Sequence, residues 1–295
     1  LMPGFLGEER YFKKEYRVKI EKGNDAYAKK MLATRIKPFI LRRTKNEVAL
    51  ELPSKTEIIQ KCELTEQQRD LYEMVRLAMH KKVHQEIEKK GLSKSHIIIL
   101  DAILKLRQVC CDPRLLKMEH MVTESAKLSM LKELLEEMVE EGRKILIFSQ
   151  FTEMLELIAV ELVKMGIDYV NLYGDTKDRK KPIEAFQRGA VPVFLISLKA
   201  GGVGLNLTAA DVVIHYDPWW NPAVENQATD RAHRIGQDKP IFVYKMITKD
   251  TLEEKILDLQ AKKASIAASI FDNEAKQSTT PLTEADINAL LGTAQ

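Results

Sequence analysis

Lys144-Ile-Leu-Ile-Phe-Ser-Gln-Phe151 opens with a short continuous apolar run, the pattern of a strand buried on both faces. Working outward, residues 152–165 place Met154, Leu155, Ile158, Leu162 and Met165 at helical spacing, and the pattern stops at Gly166. Residues 168–173 read as the next strand, 178–187 as a helix ending before Gly189, and 191–197 as a third strand. A fourth strand over 211–216 leads into a Pro-Trp-Trp-Asn-Pro loop and a helix from about Pro222 to His233. A fifth strand over 241–247 and a long helix over 250–271, with Thr251 near its cap, complete the series. Alternation of this kind predicts an α/β fold, a parallel sheet sandwiched by helices. Sites in such sheets lie at the carboxyl ends of the strands, here the loops after Ser197 and Tyr216.

The first 143 residues read differently. Strand character is limited to Lys55–Leu64, and helices are expected over 24–37, 65–90, 95–110 and 125–142. Thr65 has the look of a helix N-terminus, and 91–95 is a break at the tip of a helical protrusion. Beyond Phe271 the chain turns polar, with Ser278-Thr-Thr-Pro281, and Ile287, Leu290 and Leu291 suggest a short docking helix.

The bulk numbers bound the function classes. The chain has 295 residues, 45% hydrophobic and 30% charged, which is ordinary for a globular protein of one or two domains. No apolar run approaches the roughly 20 residues that span a bilayer, so no membrane role is expected. The opening Leu1-Met2-Pro3-Gly4 lacks a secretory pattern and reads as the middle of a longer polypeptide. Cys62, Cys110 and Cys111 make neither a disulfide framework nor a zinc site and suit a reducing cytoplasm. Net charge is +3, with 15 Lys/Arg against 9 Asp/Glu in residues 1–64 and an even 16 against 16 in residues 144–271. The N-terminal third is therefore basic enough to meet a polyanion, although a merely solvated surface carries the same signature.

Chemistry concentrates in Gln227-Ala-Thr-Asp-Arg-Ala-His-Arg-Ile-Gly-Gln237. On the predicted helix Arg231 and Arg234 share a face, and two guanidiniums there suit the charge of a transferring phosphoryl group. The chain has no Gly-x-x-x-x-Gly-Lys-Ser/Thr, so the phosphate must be held by something else. Asp230 and Gln227 stand ready to orient the arginines or bond a nucleotide, with an intrahelical salt bridge the plainer reading of Asp230. His233 has no second ligand at metal spacing. In Ser197-Leu-Lys-Ala-Gly-Gly-Val-Gly-Leu-Asn-Leu207, Gly201, Gly202 and Gly204 let backbone amides approach an anion or ribose, or else make a tight packing turn. Asp217-Pro-Trp-Trp-Asn-Pro222 offers one tryptophan for the core and leaves Asn221 free to act on a sugar or phosphate. Ser149 and Gln150 sit at another strand end, where they touch phosphates or cap the next helix.

Taken together these residues closely resemble the second motor lobe of the Swi/Snf-type helicase-like ATPases. Lys144–Phe151 resembles motif IV, Ser197–Leu207 with Asp211 motif V, and Gln227–Gln237 motif VI almost letter for letter. Trp220-Asn221-Pro222 matches the tryptophan loop, Ile36–Lys45 and Leu52-Pro53 the inter-lobe connector, and Leu106-Arg-Gln-Val-Cys-Cys-Asp-Pro113 the end of the helical insertion. Lys199 departs from the arginine usual in motif V, and motifs I and II are absent. The resemblance implies a RecA-like lobe over 121–271, a protrusion over 65–120, the end of the first lobe with the connector over 1–64, and a polar tail over 272–295. It implies an ATP-driven translocase on double-stranded DNA, inactive as an isolated fragment, with ATP and Mg2+ held mainly by a first lobe of the same polypeptide. Arg231 and Arg234 would be arginine fingers and Gly202 and Gly204 would line the nucleotide. Ser149, Gln150, Lys199, Trp220 and Asn221 would face DNA. A DNA-bound protein complex is the expected cargo, and the location is cytoplasmic, at the nucleoid in a prokaryote or nuclear in a eukaryote. The alternatives are an RNA or single-strand helicase lobe of the same superfamily and a non-catalytic DNA- or protein-binding module.

Overall fold

A computed structural model describes residues 4–21, 25–39, 52–91, 94–118, 122–201, 204–258 and 260–261. Most of the predicted connector, Gly202 and the tail helix around Ile287, Leu290 and Leu291 lie outside the described residues. The chain divides into two compact units, residues 1–50 with 258–289 and residues 51–257 with 290–295.

In the smaller unit, a helical stretch over 9–21 with a wide turn at Lys13–Arg17 precedes the helix Ala26–Ile36. The Asp25 carboxylate starts that helix by accepting from the backbone N–H groups of Tyr27 and Ala28, at 2.9 and 3.0 Å. Arg35 donates back to the hydroxyl of buried Tyr16 at 3.1 Å.

In the larger unit six parallel strands form one sheet: β1 (Lys55–Cys62), β2 (Ile145–Ser149), β3 (Tyr169–Leu172), β4 (Val193–Ser197), β5 (Val212–His215) and β6 (Ile241–Thr248). Their order is β1-β6-β5-β2-β4-β3. The strands β2, β4 and β5 are buried along their whole length, as their unbroken apolar runs require. Alternation along β2 sends Ile145 and Ile147 into one core and Leu146 and Phe148 into the other. The first core packs on α3 (Ala126–Glu140) and α4 (Thr152–Lys164). The second takes Phe186 of α5 (Lys180–Gln187) and Ala228 of α7 (Pro222–Thr229). A one-turn helix, α6 (Leu198–Gly201), follows β4 directly.

The sequence pattern yields five strands and sets Lys55–Leu64 apart from them. In the structure that stretch supplies the sixth, pairing with β6 from Lys55↔Ile241 to Cys62↔Thr248. An edge strand with one face toward water carries polar residues at alternate positions, so it lacks the apolar run that marks the others. The predicted protrusion is the helix pair α1 (Glu66–Lys90) and α2 (His96–Cys111). Gln68 roots it in the lobe, donating to the Val109 carbonyl at 2.7 Å and accepting from the Ala126 N–H at 3.1 Å. A fully buried ion pair, Lys127 Nζ with both Glu253 oxygens at 2.6 and 2.5 Å, ties the start of α3 to the helix over 252–258. No described helix is long and apolar enough to cross a membrane.

Candidate nucleotide and nucleic-acid edge

Asn221 and Pro222 start α7, with the Asn221 Oδ1 accepting from the Ala223 N–H at 3.1 Å. The helix ends at Thr229, four residues before the predicted His233, so Arg231 and Arg234 lie in the turns beyond it and not on a shared helical face. Past Thr229 the bonds tighten to three-residue spacing, the Arg231 N–H donating to the Ala228 carbonyl at 3.1 Å and the Ala232 N–H to the Thr229 carbonyl at 3.0 Å, and the Arg231 carbonyl accepts from the Leu207 N–H at 2.9 Å.

Both arginines nevertheless dock on the glycine-rich segment. Arg231 Nε donates to the Gly201 carbonyl at 3.0 Å and Arg234 Nη1 to the Leu205 carbonyl at 3.4 Å. Buried Gln237 clamps the two segments, its Nε2 donating to Thr208, Ala210 and Ala232 carbonyls at 3.1, 2.7 and 3.3 Å. Gly201 must be glycine, because a Cβ there would stand 2.8 Å from the Phe148 ring. Gly204 is exposed with open space around it. Lys199 is exposed on α6, Gln227 is exposed on α7, and Asp230 is half-buried at the α7 C-terminus. Arg231 is half-buried while Arg234 is exposed, and Ile235 beside it is 84% exposed.

Histidines support this arrangement from behind. His233 contacts the Pro53 carbonyl at 2.9 Å, and His215 of β5 meets the Thr229 hydroxyl at 2.9 Å while stacking on Phe148. Burial pushes His215 down to about 4, so it is neutral near pH 7.

The neighbouring ends of β2 and β5 form a second cluster around the buried Asp217 carboxylate. Ser149 Oγ donates to Asp217 Oδ1, and the Gln150 N–H donates to the same oxygen at 3.3 Å. Arg107 of α2 reaches Asp217 Oδ2 at 3.2 Å. Burial pushes the Asp217 carboxyl above its ordinary value, and Arg107 and Ser149 pull it only part of the way back. Ser149 is 1% exposed with its hydroxyl committed to Asp217, so it holds the cluster and does not itself meet a ligand. Gln150 is half-buried, with Oε1 accepting from Arg107 at 2.8 Å and a buried Nε2 that has no hydrogen-bond partner among the described residues. Trp219 packs on the core and its backbone N–H donates to Glu225 at 2.7 Å, while Trp220 is half-buried beside it. Asn221 is not free as the sequence reading has it, since its oxygen caps α7.

Three positions were invisible as parts of the site. Gln237 appears in sequence only as the last letter of a motif, and Asp217 only as the start of a loop. Arg107 shares an otherwise apolar helix with Asp101 and Lys105, so its charge alone does not single it out.

A parallel sheet with a glycine-rich strand end, a paired-arginine turn docked on it and a tryptophan loop defines a RecA-like motor lobe of the helicase type. Residues 126–236 match the family described as helicase conserved C-terminal domain, and residues 1–115 match the SNF2-related domain. The C-terminal domain of the Sulfolobus solfataricus SWI2/SNF2 ATPase is 33% identical with a TM-score of 0.64, covering 82% of this chain and all (100%) of that one. The Sulfolobus solfataricus SWI2/SNF2 ATPase core in complex with dsDNA is 36% identical with a TM-score of 0.65, covering 100% of this chain and 62% of that one. An uncharacterized ATP-dependent helicase of Mycoplasma pneumoniae is 41% identical over 278 residues, 91% of this chain and 25% of its own length. The chain belongs to the SWI2/SNF2 ATPase family, with the helicase C-terminal domain as its matched motor part. It spans 25–30% of the length of the first curated relatives that it matches.

Proposed function

We propose that this chain is the second motor lobe of an ATP-dependent translocase on double-stranded DNA and that Arg231 and Arg234 act as its arginine fingers. The observation that carries this reading is the docking of both arginines on one glycine-rich strand end, through the carbonyls of Gly201 and Leu205. Carbonyl anchors of this kind orient a guanidinium. A fork held this way fits a triphosphate and stabilises charge as it develops on the transferred phosphoryl group.

The sequence contains no Gly-x-x-x-x-Gly-Lys-Ser/Thr, so the nucleotide and its Mg2+ belong to a first lobe across a cleft, and this lobe alone hydrolyses nothing. Magnesium, when bound there, would supply charge neutralisation to the phosphates. Gly204 lines the nucleotide side, with Gln227 and Asp230 orienting the arginines. Closure of the cleft on ATP shifts one lobe along the phosphate backbone. Lys199, Gln150, Trp220 and the Asn221 amide face the duplex, and Ser149 contributes by fixing Asp217.

Support for duplex DNA comes from the related Sulfolobus core, which is described in complex with dsDNA. The test joins this lobe to a nucleotide-holding first lobe and measures ATP turnover with duplex DNA, single-stranded DNA and RNA. Stimulation by duplex DNA supports the reading. Stimulation by RNA alone replaces it with the RNA-helicase reading, and turnover by this chain without a first lobe defeats the division of labour.

A further inference from the structure

The helical protrusion enters the DNA-facing edge through one side chain. Arg107 is 2% exposed, and its guanidinium spreads over groups from two strand ends. Nη1 donates to Gln150 Oε1 at 2.8 Å, and Nη2 donates to the Pro218 carbonyl at 2.5 Å and to Asp217 Oδ2 at 3.2 Å. Its Cζ stands 5.6, 5.5 and 5.7 Å from the ring centroids of Phe151, Trp219 and Trp220. The strands β2 and β5 are neighbours from which the chain departs in opposite directions, toward β3 and toward β6. Their carboxyl ends therefore border the crevice where parallel sheets bind ligands. A guanidinium alone among side chains offers a rigid planar fork that reaches an amide, a carboxylate and a carbonyl together while stacking on rings.

We propose that Arg107 is the positioning residue through which the helical protrusion fixes the duplex-facing edge, holding the Gln150 amide and the Trp219–Trp220 loop at one spacing. The proposal rests on the reading of that edge as a DNA surface. Arg107 touches no substrate; it acts by holding the residues that do. Any tilt of α2 moves this fork, so the protrusion and the grip on the duplex change together.

The chain's two tryptophans are Trp219 and Trp220, so its intrinsic fluorescence reports this cluster. The variants are Arg107→Lys and the pair Arg107→Met with Asp217→Asn, in which the second change spares the fold a buried unpaired carboxylate. Tryptophan emission and acrylamide quenching are measured on the folded chain, together with the Kd for a fluorescein-labelled DNA duplex over a range of salt. Both variants should shift the emission and admit more quencher. The double variant should raise Kd by about tenfold, with Arg107→Lys in between. The slope of log K against log salt should fall by about 0.9 for each phosphate that the displaced edge no longer reaches.

An Arg107 that serves stability alone would lower the unfolding midpoint and leave emission, Kd and salt slope of the folded protein at wild-type values, which overturns the proposal. Shifted emission with a Kd within about twofold of wild type overturns it as well. A wild-type chain that fails to hold the duplex brings down the DNA reading and the proposal with it. That outcome is distinct from one in which wild type and variants bind equally.

Discussion

The two halves of the sheet's carboxyl edge are built by opposite means. The arginine turn is fastened to the glycine-rich segment by bonds to backbone carbonyls and by the one amide of Gln237. The β2–β5 end is fastened by a buried ion pair, Arg107 with Asp217, at side-chain exposures of 3% and 0%. A carbonyl has no net charge, so on the proposed reading the first arrangement orients guanidiniums toward a ligand. A carboxylate cancels the guanidinium it holds, so the second presents shape. On the proposed reading, the contrast separates residues that would meet charge in a transition state from residues that would set where neutral contacts stand.

The strongest test of the contrast is Arg234→Ala in a protein carrying both lobes. Loss of a finger that acts only on developing charge should lower kcat by about a thousandfold, equivalent to about 4 kcal/mol of barrier, with KM little changed. Arg234 is exposed, so the unfolding midpoint should stay at its wild-type value. Turnover within a few-fold of wild type would remove Arg234 from the chemistry.

His215 joins the two halves, since it lies on β5 beside the Asp217 loop and holds Thr229 at the end of the helix that leads to the arginines. Its pKa falls from about 6.5 in the unfolded chain to about 4 in the fold. As pH drops through that window the unfolded chain gains a proton that the fold refuses, so stability present above pH 6.5 is progressively lost. The loss attributable to this group should reach about 3 kcal/mol by pH 4. Urea unfolding of wild type and His215→Gln at several pH values isolates it, because the difference between the two curves should grow only below about pH 6.5. Parallel curves would mean that His215 is protonated in the fold.

Gln237→Ala probes the carbonyl-built half directly. Three carbonyls lose their shared donor, and the expected cost is about 1–3 kcal/mol with a matching loss of turnover as the glycine segment slackens. Lost stability with turnover intact at low temperature would show that the clamp supports the fold and not the fingers.

The central strands were legible because burial on both faces demands unbroken apolar runs, as in Ile145–Ser149. The edge strand β1 was legible as a strand but not as a member of this sheet, since its polar alternation belongs equally to a surface hairpin. Arg231 and Arg234 were singled out on helical spacing, which the fold does not use. Their docking on one segment comes from long-range bonds to Gly201 and Leu205, thirty and twenty-nine residues away, and not from helical spacing. Arg107 and Asp217 are 110 residues apart, so their pairing has no local signature at all.

The smallest expected effect belongs to Asn221, where helix capping and the proposed DNA contact compete for one side chain. Its oxygen is spent on the Ala223 N–H, leaving the amide nitrogen for a phosphate. Asn221→Ala should lose the cap, at about 1 kcal/mol of stability, and weaken duplex binding at the same time. Asn221→Asp keeps an equally good cap while turning a donor toward the duplex into a negative charge. Stability should therefore hold at the wild-type value in the aspartate variant while the Kd for duplex rises, most of all at low salt. If the aspartate variant binds duplex as well as wild type, Asn221 is a helix cap alone, and the β2–β5 end meets DNA through Gln150 and Trp220 without it.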